Sequence, residues 1–176
     1  MIPELGHFAL ILATIVALIQ GVLPLTGTYL PSRSLQITLQ SLARPMAILQ
    51  FVLVALSFAA LAAAFLTNDF SVTYVVQHSN SLLPKPYQFA AVWGGHEGSL
   101  LLWVLLLAVW SMAVALFSKS LPLDMVARVL SVLGLISVGF LLFILTTSNP
   151  FERLLPAALD GHLKRQATSA QMDWMW

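Results

Sequence analysis

His96 and Glu97 are two adjacent ionisable side chains whose position in this sequence could support chemistry. They stand where a polar, proline-marked stretch meets a long apolar segment. The surrounding run reads Trp93, Gly94, Gly95, His96, Glu97, Gly98 and Ser99. Ionisable groups at the mouth of a membrane helix are rare and costly, so they indicate a functional site by default. An imidazole there could ligate a haem or another metal, and a carboxylate could carry protons.

The same run also has a purely structural interpretation. Glu97 in a first helical turn complements the helix dipole, and tryptophans anchor helix ends at the membrane interface. The glycines leave this turn thin, so that another backbone or a flat ligand can approach. Helical spacing places a further set on one side with His96 or Glu97, namely Trp93, Leu100, Trp103, Leu107 and Trp110. The candidate cofactor contacts are therefore His96, Glu97, Trp93 and Trp103, and the sequence predicts no catalytic residue and no metal site.

The other histidines offer little for a haem site with two imidazole ligands. No second histidine stands in a predicted membrane span at the depth of His96. His7 could meet His96 only if the first and third spans are neighbours. His78 lies in a loop, where a polar surface or packing role is the simplest interpretation. Phosphate-loop, zinc-helix and nucleophile-elbow motifs are absent from the sequence.

The composition is that of an integral membrane protein. Hydrophobic residues make up 59% of the 176 residues and charged residues only 9%, with a mean hydropathy of +0.90. There is no cysteine, which excludes disulfides, thiolate metal sites and Cys-x-x-Cys-His haem attachment within the chain. A net charge of +1 without a basic patch predicts no nucleic acid as partner, and the apolar composition predicts the lipid bilayer.

Four segments are long enough to cross about 30 Å of hydrocarbon. They are predicted at about 6–25, 45–66, 93–117 and 126–147, which gives an all-α bundle of four transmembrane helices. Ala55, Ala59 and Ala63 predict a small-residue packing face on the second span, and Ser131, Gly134 and Ser137 another on the fourth.

Loop charges predict the orientation of these spans. Arg33 and Arg44 lie between the first and second spans, and Lys119 and Arg128 lie at the connection between the third and fourth. The loop between the second and third spans has only Lys85. This asymmetry predicts a periplasmic amino end, with the His96–Glu97 step on the same, outer side.

The residues of the motif and its neighbours resemble a known family. This sequence is similar to the N-terminal region of that family over Tyr74-Val75, His78-Ser79-Asn80, Leu83-Pro84, Tyr87 and the whole of 93–103. Further similarity lies at Pro3-Glu4-Leu5-Gly6 and across 147–156. The family is that of CcmF, a haem lyase subunit of cytochrome c-type biogenesis, and the resemblance covers about residues 1–161. A related lyase subunit of the nitrite-reductase type is similar over the same block and stays open.

The resemblance implies a multi-pass protein of the bacterial inner membrane that handles haem. Full-length members hold haem b and receive haem from a periplasmic haem chaperone. With other maturation subunits they help to attach it to apocytochrome c. Two alternatives from the residues remain: a proton- or ion-conducting transporter subunit that uses Glu97, and a structural membrane subunit without a ligand.

Departures from the family pattern limit what is expected of this chain. The tryptophan-rich haem loop, Trp-Gly-Gly-x-Trp-x-Trp-Asp, is absent, and the family's ligand histidines lie in segments beyond this sequence. Residues 162–176 form a divergent polar tail. We therefore expect a truncated or frameshifted fragment that is not catalytic on its own and binds no haem of its own, with a natural split subunit as the alternative.

Overall fold

The computed structural model describes residues 2–154, and the regular structure in this range is helical. In chain order the helices are α1 (Ile2–Gly27), α2 (Arg33–Ser41), α3 (Ala43–Leu66), α4 (Thr73–His78), α5 (Lys85–Ala91), α6 (His96–Phe117) and α7 (Leu123–Thr147). One isolated antiparallel bridge joins Val72 and Arg153. The predicted all-α fold is confirmed for residues 2–154.

Four stretches are long and apolar enough to span a membrane, as predicted: α1, α2 with α3, α6 and α7. The third of them begins at His96 rather than at Trp93. Gly95 before it is extended, with φ −113° and ψ 175°, and the amide of Gly94 closes a turn on the carbonyl of Ala91 at 3.1 Å. The glycines thus separate Trp93 from the helix that the spacing had extended through it.

The four long helices form a bundle in which α1 packs against α3 and α7, and α6 packs against the same two helices. Helices α1 and α6 therefore do not lie side by side. Pairing His7 with His96 required these two helices to be neighbours. The bundle does not bring the two histidines together in that way.

Close helix approach occurs where α1 meets α7. A Cβ on Gly134 would lie 3.0 Å from the amide nitrogen of Gly21 and 3.1 Å from the carbonyl of Ala17, and Ser131 and Ser137 are also fully buried. The small-residue face predicted on the fourth span is present.

The small-residue face predicted on the second span is wrong. Ala59 is exposed, while Ala55 and Ala63 are only partly buried. The side of α3 that enters the bundle instead carries Val54, Ser57 and Leu61, each 0% exposed. Since this helix is apolar all round, its composition does not indicate which side faces lipid.

Two glutamines on the long helices, Gln20 and Gln50, have fully buried side chains. The Gln20 amide donates to the carbonyl of Leu130 at 2.9 Å, so it ties α1 to α7. The Gln50 amide, on α3, has no hydrogen-bond partner for either its nitrogen or its oxygen among the described groups. An unpaired buried polar group costs about 1–3 kcal/mol.

Replacing Gln50 by methionine is expected to raise the free energy of unfolding by about 1–2 kcal/mol, because an apolar side chain of similar length removes the unpaired amide. The measurement is denaturant unfolding in mixed micelles, followed by far-ultraviolet circular dichroism. Gln20→Met is the comparison: it removes the bond to Leu130 together with a buried Oε1 that has no partner among the described groups, so it should gain less stability than Gln50→Met. A lower stability for Gln50→Met would show that a polar group does serve this side chain.

One end of the bundle gathers the start of α1, the connection between α3 and α6, and the segment after α7. The amide of Thr73 donates to the carbonyl of Glu152, and that of Leu154 to the carbonyl of Ser71, both at 2.9 Å. Arg153 donates to the Ser71 hydroxyl and to Glu4 Oε1, each at 2.7 Å. We call this the motif end, because α6 also begins there.

Candidate functional site

Tyr74 is the centre of the turn that leads into α6. Its side chain is 3% exposed and packs edge-on against Phe65, with ring centroids 5.3 Å apart. The hydroxyl donates to the carbonyl of Val92 at 3.0 Å and accepts from the amide of Gly95 at 3.0 Å. Both ends of the non-helical link between α5 and α6 are thereby attached to α4.

The ionisation of Tyr74 follows from this position. Burial raises the pKa of its phenol, and backbone hydrogen bonds from Gly95 and Gly98 offset part of that rise. The neutral hydroxyl is the form that can both donate and accept. Burial therefore favours the protonation state that the turn requires.

Two glycines of the motif stand where a larger side chain would not fit. A Cβ on Gly95 would lie 2.5 Å from His78 Nε2 and 2.7 Å from a ring carbon of Tyr74. A Cβ on Gly98 would overlap the carbonyl oxygen of Val92 and lie 2.7 Å from the Tyr74 hydroxyl. Gly94 is different, because its nearest neighbour would be 3.4 Å away. The thin first turn expected from the sequence is present, and a backbone carbonyl and two rings approach it.

His78 serves the same packing arrangement. Its Nδ1 lies 3.1 Å from the carbonyl oxygen of Tyr74, and the two rings are 4.5 Å apart. The other ring nitrogen faces Gly95. Through these contacts His78 supports the turn.

His96 and Glu97 differ in their surroundings. His96 is exposed; its Nδ1 lies 3.2 Å from the hydroxyl of Ser148, and its ring meets Phe143 edge-on at 6.2 Å. Glu97 is half-buried in the first turn of α6. The His96 side chain is therefore the more exposed of the two, although it also contacts α7 and the residue that follows it.

The candidate tryptophans lie on the outside of the bundle. Trp93 is 39% exposed and packs edge-on against Phe89 at 5.2 Å. Trp103 and Trp110 are 64% and 68% exposed on the outer side of α6, whereas its inner side carries Leu101, Val104 and Ala108. The predicted tryptophan side of α6 thus faces away from the bundle core.

A haem between two imidazoles does not fit the residues that the structure describes. His78 is committed to the turn, and His7 packs against Phe151 with ring centroids 6.4 Å apart. His96 alone is presented outwards, close to an apolar groove between α6 and α7 that is lined by Leu100, Ile136, Gly139, Phe140 and Phe143. One imidazole beside an apolar groove offers at most one side of a haem site.

Known proteins are similar to this chain over most of its length. A family model described as cytochrome C assembly protein matches residues 93–171. The cytochrome c-type biogenesis protein CcmF of Pseudomonas aeruginosa is 57% identical over 163 residues, which is 92% of this chain and 24% of that protein. Over most of its length this chain is thus similar to one part of CcmF. CcmF of Escherichia coli is 53% identical over 156 residues, which is 89% of this chain and 24% of that protein.

The alternative relative is less similar than these CcmF proteins. The NrfE protein of Haemophilus influenzae is 42% identical over 161 residues, which is 92% of this chain and 25% of that protein. A solved structure named cytochrome c heme lyase CcmF superposes with a TM-score of 0.79 at 28% identity, covering 89% of this chain and 26% of that one. The sequence similarity thus favours CcmF over the nitrite-reductase type.

Family and fold together place this chain in the bacterial inner membrane as a multi-pass protein. The chain spans about a quarter of the length of the curated relatives it matches. The polar tail predicted at 162–176 lies outside the described residues. The division at residue 161 therefore stays a prediction.

Sequence reasoning missed Tyr74 and the Glu4–Arg153 ion pair. Tyr74 was named only within the Tyr74-Val75 part of the resemblance, with no role. Glu4 and Arg153 lie in the two outer blocks that resemble the family, and the structure brings these blocks together at 2.7 Å. Their joint appearance in the family pattern was the available signal.

Proposed function

We propose that this chain forms a four-helix part of a CcmF-type haem lyase and contributes to handling haem for apocytochrome c. The observation that carries the proposal is the 57% identity to CcmF over 92% of the chain. The haem chaperone, apocytochrome c and other maturation subunits are the proposed partners. Haem b would be held in a longer assembly, with ligands that the described residues do not supply.

The geometry supports a recognition role for the motif end. Gly95, Gly98, Tyr74 and His78 are used in building the turn, which leaves His96 and Trp93 exposed on its surface. We propose that these two side chains contact haem or a partner subunit, with Glu97 supporting the helix start. Proton conduction receives no support, because the described carboxylates other than Glu97 are at helix ends or in connections: Glu4, Asp69, Asp124 and Glu152.

A chimera tests this function. The matching quarter of the P. aeruginosa protein is replaced by this chain, and covalent haem in c-type cytochromes is measured by haem staining in a strain that lacks CcmF. The chimera is expected to restore maturation. A chimera that carries both His96→Gln and Glu97→Gln is expected to reduce maturation about tenfold or more, because a tenfold effect corresponds to the loss of roughly one polar contact. Trp110→Leu, on the outer side of α6, is the control. Normal maturation by the double variant would reduce both residues to structural roles.

The motif end is proposed to face the periplasm. The opposite end carries Arg33, Arg44, Lys119 and Arg128, and contact between Arg44 and the carbonyl of Ser118 at 2.9 Å brings its two connections together. The motif end has Lys85 and Arg153 among the described residues. Cytoplasmic loops are enriched in basic residues, which supports a cytoplasmic location for this four-residue cluster.

Single cysteines test this orientation, since the chain has none of its own. Leu82→Cys lies at the motif end, where the native side chain is 83% exposed. Leu121→Cys is the matched site at the other end, with 44% exposure. A membrane-impermeant maleimide should label Leu82→Cys in intact spheroplasts and Leu121→Cys only after permeabilisation. The reverse pattern would overturn the proposed orientation.

A further inference from the structure

We propose that a pocket at the motif end of α1 binds the headgroup of an aminophospholipid of the phosphatidylethanolamine type. The pocket has a volume of about 340 Å³. It lies beside the Glu4–Arg153 ion pair and is separate from the motif turn. Its lining includes Glu4, His7, Phe8, Phe151, Glu152 and Arg153.

The charges of the pocket match a zwitterion that carries an ammonium group. Glu4 and Glu152 provide two carboxylates. Arg153 and the amino terminus both pair with Glu4 and provide two positive charges, so the four groups sum to zero, as in a zwitterion. Arg153 has five N–H donors and remains about one-third exposed while it contacts Glu4. It can therefore also meet a phosphate, while the exposed Glu152 carboxylate attracts an ammonium group. An anionic headgroup without an ammonium offers Glu152 no partner.

The apolar side of the pocket leads along the outside of a membrane span. Phe8 and Ile11 are 59% and 38% exposed. Both lie on α1, which carries Glu4 in its first turn. Charged residues at the end of a span lie at the headgroup level, and apolar residues further along it lie among the acyl chains. The polar and apolar parts of the pocket thus follow the order of groups in a phospholipid.

His7 supplies the discrimination between headgroups. Its Nδ1 is buried and has no hydrogen-bond partner among the described groups. His7 lines the pocket, so a bound headgroup can supply the partner that this nitrogen lacks. The unprotonated nitrogen of an imidazole accepts a hydrogen bond, which a primary ammonium can donate and a trimethylated one cannot.

Native mass spectrometry of the purified 176-residue chain in detergent tests the proposal. Phosphatidylethanolamine, phosphatidylcholine and phosphatidylglycerol with identical acyl chains are titrated separately. Phosphatidylethanolamine is expected to bind about tenfold more tightly than either of the others, the ratio for roughly one charge-assisted hydrogen bond. Equal binding of the three lipids would overturn the proposal.

Variants locate the binding. Glu152→Gln should remove most of the preference for phosphatidylethanolamine, and because this side chain is exposed the fold should persist, as checked by circular dichroism. Glu97→Gln, at the same end but outside the pocket lining, is the control and should keep the preference. Retention of the full preference by both Glu152→Gln and His7→Phe would assign the lipid to another surface.

Discussion

Replacing Gly98 by alanine is expected to lower the free energy of unfolding by about 3 kcal/mol, near the upper range for overpacking a tight site. The added Cβ would overlap the carbonyl oxygen of Val92 and lie 2.7 Å from the Tyr74 hydroxyl. Backbone cannot rotate away as a flexible side chain can. The α5–α6 link must therefore move, and the hydrogen bonds of Tyr74 are lost with it. Denaturant unfolding in mixed micelles, followed by circular dichroism, measures the change.

Gly94→Ala is the matched control for this prediction. None of the glycines described has a positive φ, so alanine is compatible with the backbone at both positions, and the difference between them is one of space. With its nearest neighbour at 3.4 Å, Gly94→Ala should be neutral or stabilising by up to about 1 kcal/mol, through the entropy of the unfolded chain. Similar losses for both variants would contradict the steric explanation.

Gly95→Ala should fall between these two. Its added Cβ would meet the rings of His78 and Tyr74, and side chains can shift where a carbonyl cannot. The order Gly98, Gly95, Gly94 in destabilisation thus separates the backbone contact from the ring contacts. The same order would show that the glycines of the motif serve packing. Contact with haem or a partner subunit would then be left to the side chains between and around these glycines.

The number and class of the membrane spans could be predicted because lipid leaves few alternatives. A run of about 20 apolar residues must satisfy its backbone internally, which a helix does. Which side of each helix faces the bundle could not be predicted in the same way. On α3 the alanine spacing pointed to Ala55, Ala59 and Ala63, but an apolar side chain is equally acceptable to lipid and to the core.

The motif was found from the sequence, but its organisation was not. Helical spacing runs from Trp93 into α6 without interruption, and only the contacts of Gly95 and Gly98 show why the helix begins at His96. Tyr74 bonds to backbone groups 18 and 21 residues away. A bond from a side chain to distant backbone leaves no periodic pattern, since any residue can supply an amide or a carbonyl.

Tyr74→Phe should lower the free energy of unfolding by about 2–4 kcal/mol, although it removes a single oxygen atom. The hydroxyl serves the carbonyl of Val92 and the amide of Gly95, and leaving a buried backbone group unpaired costs about 1–3 kcal/mol each. Tyr87→Phe is the matched control, because Tyr87 is 65% exposed, and it should change stability by less than about 0.5 kcal/mol. Equal effects would show that water or another group replaces the Tyr74 hydroxyl.

The pH dependence of stability tests the same hydroxyl by a separate route. Burial raises the pKa of Tyr74 in the folded state above the value of about 10 expected for an unfolded chain. The native state therefore holds this proton at a pH where the unfolded state has released it, so the contribution is complete below about pH 10 and is lost as pH rises further. Between pH 9 and 11, which lie about one pH unit on either side of the reference pKa of tyrosine, Tyr74→Phe should consequently lose less stability than the unsubstituted chain. Parallel curves for the two proteins would mean that the phenol ionises without leaving the turn, and that Gly95 and Gly98 stabilise the phenolate as well as the neutral form.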